Sequence, residues 1–218
     1  EIPLGNNIAV NPPPEYQRQT WRENLGFKSD SIVLAYFGFL NESKGGEDLI
    51  AALDILARRG LDVRLLMIGG DIGDSDPSNR AYAQRIHRLI AENDLAQRIV
   101  FTGYVSLPEV SAHLLAADLA VMPYRDGVSF RRTTLITALR HGLPIISTTP
   151  AIELPQIAAG KNMLLVAPRD IAGLTEAVIR VVNDPSLREQ LSQGAGMLGN
   201  QFDWPEIAAQ TLRVYQSL

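Results

Sequence analysis

The 218 residues include no cysteine. That excludes a disulfide framework and any cysteine-ligated zinc or iron–sulfur centre, and it permits an intracellular location. Histidine is almost as scarce. His87, His113 and His141 stand far apart and form no His-x-x-x-His pair, which argues against a histidine metal site. They are expected at the surface or packed against loops, with His141, next to Gly142, at the negative end of a helix. No apolar run approaches the roughly 20 residues that span a bilayer, and no charged-then-apolar leader opens the chain. A surplus of positive charge is missing as well: 20 basic against 24 acidic residues leave a net charge of −4. Nucleic acid and polybasic membrane surfaces reward clustered Lys and Arg, so neither partner is expected. Local binding of a small anion stays open.

Two nucleotide fingerprints are also lacking. A P-loop requires Gly-Lys-Ser/Thr after a four-residue gap, whereas the first candidate loop reads Lys44-Gly45-Gly46. A dinucleotide fingerprint requires Gly-x-Gly-x-x-Gly directly after the first strand, and Gly38-Phe39-Leu40 breaks it. ATPase and NAD-dependent dehydrogenase readings fall accordingly.

What is present, at 46% hydrophobic residues, is enough apolar material for one substantial core. Residues 1–30 read as a connector, with Gly5-Asn6-Asn7, the semi-rigid run Pro12-Pro13-Pro14, and a short amphipathic piece from Tyr16 to Leu25. From Ser31 onward, apolar strands alternate with helical periods. Strands are predicted at 32–37, 63–68, 99–101, 119–122, 144–147 and 164–166. Helices are predicted after Gly46 (Leu49, Leu53 and Leu56 on one face), after an Asp76-Pro77 cap (Tyr82, Ile86, Leu89, Ile90), and at 107–117, 132–140, 171–182, 186–198 and 204–216. Strands as uniformly apolar as Ile32–Phe37 belong inside a parallel sheet, and short right-handed crossovers between them make an α/β doubly wound parallel sheet.

In such a sheet the ligand lies at the carboxyl ends of the strands, which nominates the loops 38–46, 69–76, 103–106 and 124–133. The last of these enters a helix through Arg131-Arg132-Thr133-Thr134. The free N–H groups and positive dipole of a helix opening, with two guanidiniums and two hydroxyls, form an anion site. Lys44 at the first helix start could supply a further cation, holding a diphosphate between two helix N-termini. The same residues also suit solvated arginines on an N-terminal turn and a surface lysine in a tight loop. Asp74-Ser75-Asp76 matches the Asp-x-Asp triplet of some metal-dependent sugar transferases, but Asp76 before Pro77 is better read as an N-cap.

Taken in order, these segments resemble the C-terminal, donor-binding half of the retaining glycosyltransferases of family 4, also called group 1. The resemblance runs through Phe37-Gly38-Phe39-Leu40 with Lys44-Gly45, Leu66–Asp71, Val100–Val105, Ala117-Asp118-Leu119 with Met122-Pro123, and Ala138–Thr148. It extends to Ile2–Gly5 and to Phe202-Asp203-Trp204 with Tyr215, and so covers essentially the whole chain. It implies one Rossmann-like lobe of a GT-B fold: 1–30 as interdomain linker and start of the lobe, 31–202 as the nucleotide-sugar-binding domain, and 203–218 as a crossover helix. It implies a nucleoside diphosphate sugar as donor, no required metal and no other cofactor. The acceptor would be a glycan, a lipid or a small molecule, bound by an N-terminal lobe absent from this sequence, which begins at Glu1. The implied setting is cytoplasmic, with any peripheral membrane contact made through that other lobe. This chain alone is not expected to turn over.

The implied donor-binding set is Gly38, Lys44, Gly70, Tyr104, Val105, Asp126, Ser129, Arg131, Arg132, Thr133, Thr134 and Thr137. Lys44 corresponds to the lysine on the diphosphate, the loop Gly103-Tyr104-Val105 lies near the base, and the helix from Arg132 underlies the phosphates. The chain departs from the family in three places. Where the family carries two glutamates eight positions apart, this chain has Ser129 and Thr137, and the usual arginine after the first glycine is Phe39. No catalytic residue can therefore be carried over. Thr137 could hydrogen-bond a ribose hydroxyl, Asp126 could replace the lost carboxylate on the sugar, and Arg131 or Arg132 the lost cation. A non-catalytic nucleotide-binding module and a sugar-nucleotide epimerase lobe are the competing readings.

Overall fold

The computed structural model describes residues 3–70 and 77–216, leaving aside the side chains of Pro77 and Ser78. The expected cap at Asp76 and the triplet Asp74-Ser75-Asp76 lie outside the described residues.

Six short strands build the sheet: β1 (Ile32–Phe37), β2 (Val63–Ile68), β3 (Ile99–Phe101), β4 (Leu119–Met122), β5 (Ile145–Thr148) and β6 (Leu164–Val166). Their order is β3-β2-β1-β4-β5-β6, and every pairing is parallel. β1 and β4 are buried along nearly their whole length, as expected of central strands covered on both faces. The helices are α1 (Arg18–Asn24), α2 (Gly46–Arg58), α3 (Pro77–Glu92), α4 (Leu107–Ala116), α5 (Thr133–Arg140), α6 (Ile171–Asn183), α7 (Pro185–Gly199) and α8 (Trp204–Gln216). Two apolar clusters result from alternate strand residues. Leu34, Tyr36, Leu65, Leu119 and Val121 join α2, α3, α6 and part of α7 on one face. Val33, Ala35, Leu66, Ala120 and Met122 join α4, α5 and the rest of α7 on the other.

The boundaries differ from the sequence reading by a residue where proline or a cap decides. β5 starts at Ile145, since Pro144 has no N–H to give the ladder, although its carbonyl accepts from Ala120 at 2.8 Å. Helix α5 starts at Thr133, with Arg132 extended at φ −95° and ψ 102° as its N-cap.

The proline-rich connector lies on the same body. Arg22 of α1 is buried, and its guanidinium donates to Asp118 Oδ2 at 3.1 Å and to the carbonyls of Ala116 and Ser31. Asp118 Oδ2 in turn accepts from the Val33 N–H at 2.7 Å, so one carboxylate ties α1 to the amino ends of β1 and β4. The histidines expected at the surface or against loops include two that pack between helices, His113 buried and His141 part-buried. His113 is buried and accepts from Trp21 Nε1 at 3.0 Å, and burial lowers its pKa. His141 places Nδ1 2.8 Å from the Thr137 carbonyl, which can only accept, so that nitrogen carries the proton. Nε2 then accepts from Ser111 Oγ at 2.9 Å. Both rings fill gaps between helices and are best neutral there, because a charged ring would lose its hydration.

Among the described residues, no helix is long and apolar enough to cross a membrane.

Candidate functional site

The order in which strands are added to the sheet reverses between β1 and β4, its first and fourth strands in sequence, which lie side by side and parallel. In a doubly wound sheet the loops leaving the carboxyl ends of such a pair run to opposite sides, and ligands bind in the crevice between them. The loop after β1 carries Gly38 and Lys44, and the loop after β4 carries Tyr124, Asp126 and Arg132. A polar recess of about 420 Å³, lined in part by Arg18, Asp118, His141 and Arg188, sits at the opposite, amino-terminal edge and takes no part in this crevice.

Gly38 forms the floor. Its φ is 114°, and a Cβ placed there would come within 2.6 Å of Lys44 Nζ and 3.1 Å of Thr134 Cγ2. The lysine ammonium and the first turn of α5 therefore meet over a single glycine. Lys44 reaches this position because Asn41 caps the preceding 3-10 turn, its Oδ1 accepting from Lys44 N at 3.2 Å, and because Gly45 turns left-handed at φ 68°. A side chain at Gly45 would overlap the Pro123 carbonyl oxygen, so only glycine lets the two loops touch. A backbone bond from Arg125 N to Ser43 O, 2.8 Å, joins them directly.

Two cations, Lys44 and Arg132, stand close together here. Lys44 is half-buried, and among the described residues no carboxylate pairs with its ammonium. Its pKa falls to about 8, first because burial penalises the charged form and second because the Arg132 guanidinium is near. Arg132 lies 4.1 Å above the Tyr124 ring and forms an ion pair with Asp126. Tyr124 is itself buried, shares a hydrogen bond of 3.3 Å with Thr134 Oγ1, and has its phenol pushed up to about 12, chiefly by burial. No side chain caps α5 and its first turn holds no acid, which leaves the N–H groups of Thr133 and Thr134 facing outward with their dipole uncompensated.

The start of α2 is different. Glu47 and Asp48 occupy its first turn, and Arg125 closes on them with Nε 2.9 Å from Asp48 Oδ2, Nη2 2.7 Å from Asp48 Oδ1 and Nη2 2.7 Å from Glu47 Oε2. Of the two helix starts expected to hold a diphosphate, that of α2 already carries its own carboxylates, whereas the first turn of α5 carries none. Lys44 lies just before the first residue of α2.

Among the other predicted residues, Gly70 and the loop Gly103-Tyr104-Val105 stand beyond β2 and β3. Gly69 pairs with Gly103 in an isolated bridge and packs against Gly38, its would-be Cβ 3.5 Å from the Gly38 carbonyl carbon. This brings the β3 loop to the same edge as the floor. Tyr104 is 90% exposed, an uncovered ring at that edge, while Val105 packs into the core. Ser129 Oγ accepts from the Arg131 N–H at 3.3 Å. Arg131 and Arg132 separate: Arg131 is exposed and makes no side-chain contact with the site, whereas Arg132 turns inward. Asp126 is spent on Arg132, and so is not a free carboxylate. Thr137 is buried, and its hydroxyl donates to Asn6 Oδ1 at 3.2 Å, which leaves no exposed donor there.

Sequence reasoning assigned nothing to Tyr124, which supports Arg132 and Thr134, or to Arg125, which holds the two loops together. The signal for Arg125 was the acidic pair Glu47-Asp48, a buried helix start that needs a cation. No local signal pointed to Tyr124.

Among the described residues, no group of three acidic or histidine side chains could hold a metal ion. Residues 31–184 match the family model of the group 1 glycosyl transferases, which covers well over half of the chain. The chain belongs to the group 1 glycosyltransferase family. Relatives include a D-inositol 3-phosphate glycosyltransferase of Jonesia denitrificans, 29% identical over 97% of this chain and 50% of its own length. Sucrose-phosphate synthase from Thermosynechococcus elongatus superposes with a TM-score of 0.81 at 26% identity, over 99% of this chain and 51% of that one. The Anabaena protein HepE, solved in complex with UDP and glucose, shares the fold with a TM-score of 0.81 at 20% identity, over 96% of this chain and 54% of that one. This group 1 chain spans about half the length of these relatives.

Proposed function

We propose that this chain is the C-terminal, donor-binding lobe of a GT-B glycosyltransferase of family 4, one that transfers a sugar with retention from a nucleoside diphosphate sugar. The acceptor, a glycan, lipid or small molecule, would be held by an N-terminal lobe. One observation carries the reading: the Lys44 ammonium meets the uncapped start of α5 over Gly38, with the Arg132 guanidinium near it, at the carboxyl ends of β1 and β4 where a doubly wound sheet binds its ligand. The relatives' names and lengths support it, being sugar transferases about twice as long as this chain.

In this reading the chemistry asked of the lobe is stabilisation of a leaving group. As the bond between the sugar and the diphosphate breaks, negative charge grows on the phosphate oxygens. Lys44 and the N–H groups of Thr133 and Thr134 already stand at that place, with Arg132 beside them, so the charge meets donors that folding has set in position. The exposed Tyr104 ring at the β3 edge offers a face for the base. The diphosphate's charge is met by these groups and not by a divalent ion.

The test is transfer by the full-length protein from UDP- and GDP-sugars, followed by release of nucleoside diphosphate with chelator present. Turnover is expected, and Lys44→Ala should cut kcat by about 10²–10³, the usual cost of losing one preorganised charge-stabilising donor. Turnover that is unchanged in Lys44→Ala, or that disappears with the metal, would refute the mechanism. A second reading has its own observation in favour: Ser129 and Thr137 stand where carboxylates are expected, and the Thr137 hydroxyl is already engaged. A non-catalytic nucleotide-binding module would bind nucleoside diphosphate tightly and release none.

A further inference from the structure

Arg132 is inside the proposed donor site, yet it is paired. Its guanidinium is mostly buried over the Tyr124 ring, at 17% side-chain exposure, and its partner Asp126 is 59% exposed at the lip of the loop. Lys44, close by, has no carboxylate partner among the described residues. Of these two neighbouring cations, Lys44 is without a carboxylate among the described residues and Arg132 carries one from its own loop. Asp126 and Arg132 are six residues apart on either side of the turn at Gly127, which is locked by its φ of 83° and by the Thr149 carbonyl 2.7 Å from where a Cβ would sit. The backbone between them is thus constrained, and the exposed aspartate is the group that can swing away.

We propose that Asp126 is a resident counter-ion that an incoming diphosphate displaces from Arg132, so that donor binding at this site is an exchange of anions. This rests on the function proposed above. Arg132 supplies the second cation that Phe39 cannot, since Phe39 is an exposed ring. Until a diphosphate binds, Asp126 keeps the Arg132 guanidinium oriented along the Tyr124 face and screens it from Lys44. With a diphosphate in place, its oxygens take over both tasks, and Asp126 is released to solvent or to the hydroxyls of the bound sugar.

A double-mutant cycle tests this, with the chain titrated by inorganic pyrophosphate and by UDP and GDP in a calorimeter. Four proteins are compared: wild type, Asp126→Asn, Arg132→Met and the double variant. Methionine keeps an unbranched apolar stem over Tyr124 but removes the charge that pairs with the carboxylate. Asp126→Asn should tighten pyrophosphate and diphosphate binding by roughly two- to fivefold, the range a part-exposed ion pair allows. The gain should shrink toward none in the Arg132→Met background, because the two side chains act as a unit. Asparagine that weakens binding, leaves it unchanged, or gains equally in both backgrounds overturns the exchange. A wild type that binds pyrophosphate but neither nucleotide keeps the exchange and sinks the donor reading. A wild type that binds none of the three ligands sinks both.

Discussion

Lys44 carries the most information of any single side chain in the molecule. A lysine whose folded pKa is lowered to about 8 is destabilising while protonated, and the cost disappears as pH rises through that value toward the ordinary 10.5. Between these limits the unfolded chain binds a proton that the folded chain does not, so stability rises with pH. The ligand-free chain should therefore gain more stability from pH 8 to 10 than Lys44→Met does, measured by urea unfolding at each pH. Anion binding works the other way, since it needs the charged form. Diphosphate affinity should fall above pH 8 by at most about tenfold per pH unit, the limit for one linked proton, and the slope should flatten in Lys44→Arg. A pH-independent affinity for wild type would mean the ammonium is not in the binding site.

Between elements, the decisive joint is the one Arg125 makes from the loop after β4 to the first turn of α2. Arg125 and Asp48 expose only 9% and 8% of their side chains, so each needs the other to offset lost hydration. The hydrogen bonds that the guanidinium donates to Asp48 dominate and raise its pKa, although burial works against the charge. Removing one partner leaves a stranded charge. Arg125→Ala should cost about 3–5 kcal/mol by denaturant unfolding, whereas Arg125→Met with Asp48→Leu should recover most of it, since a packed apolar pair can replace a buried ionic one. The single variant should also weaken diphosphate binding without touching the ligand. The Lys44 loop depends on this joint together with the Ser43 carbonyl bond. Equal binding in the destabilised variant would show that Lys44 is positioned by Asn41 and Gly45 alone.

At the scale of the whole molecule, a ligand in the crevice touches loops from both sides of the β1/β4 boundary and so couples the two halves of the sheet. Nucleoside diphosphate at about 100 times its Kd should add roughly 2.7 kcal/mol of stability, which for a chain of this size is a rise in Tm of roughly 5–10 °C. The Lys44→Ala chain should lose most of that shift. A thermal scan with UDP and with GDP would also show which base the β3 edge prefers, and no shift with either would remove the nucleotide from the proposed function.

The order of the elements was legible in the residues, because uniformly apolar strands and 3.6-residue periods each bury one way only. Glycines stand at 38, 45 and 127, and the folded chain shows why: each has a positive φ that few other residues adopt. The strand order, and with it the crevice between β1 and β4, needed the folded chain. So did the fate of each charged group, because hydrogen-bond partners are chosen across dozens of residues. Arg131 and Arg132 look alike in one dimension, yet only Arg132 finds Tyr124 and Asp126. Asp126 looks free until Arg132 takes it. Thr137 suits a ribose until Asn6, 131 residues earlier, accepts its proton. Local pattern is enough to say where chain is buried and where it turns, since both depend on near neighbours. Which cation stays unpaired for a ligand depends on every charge that folding brings within reach, and that is a property of the assembled sheet.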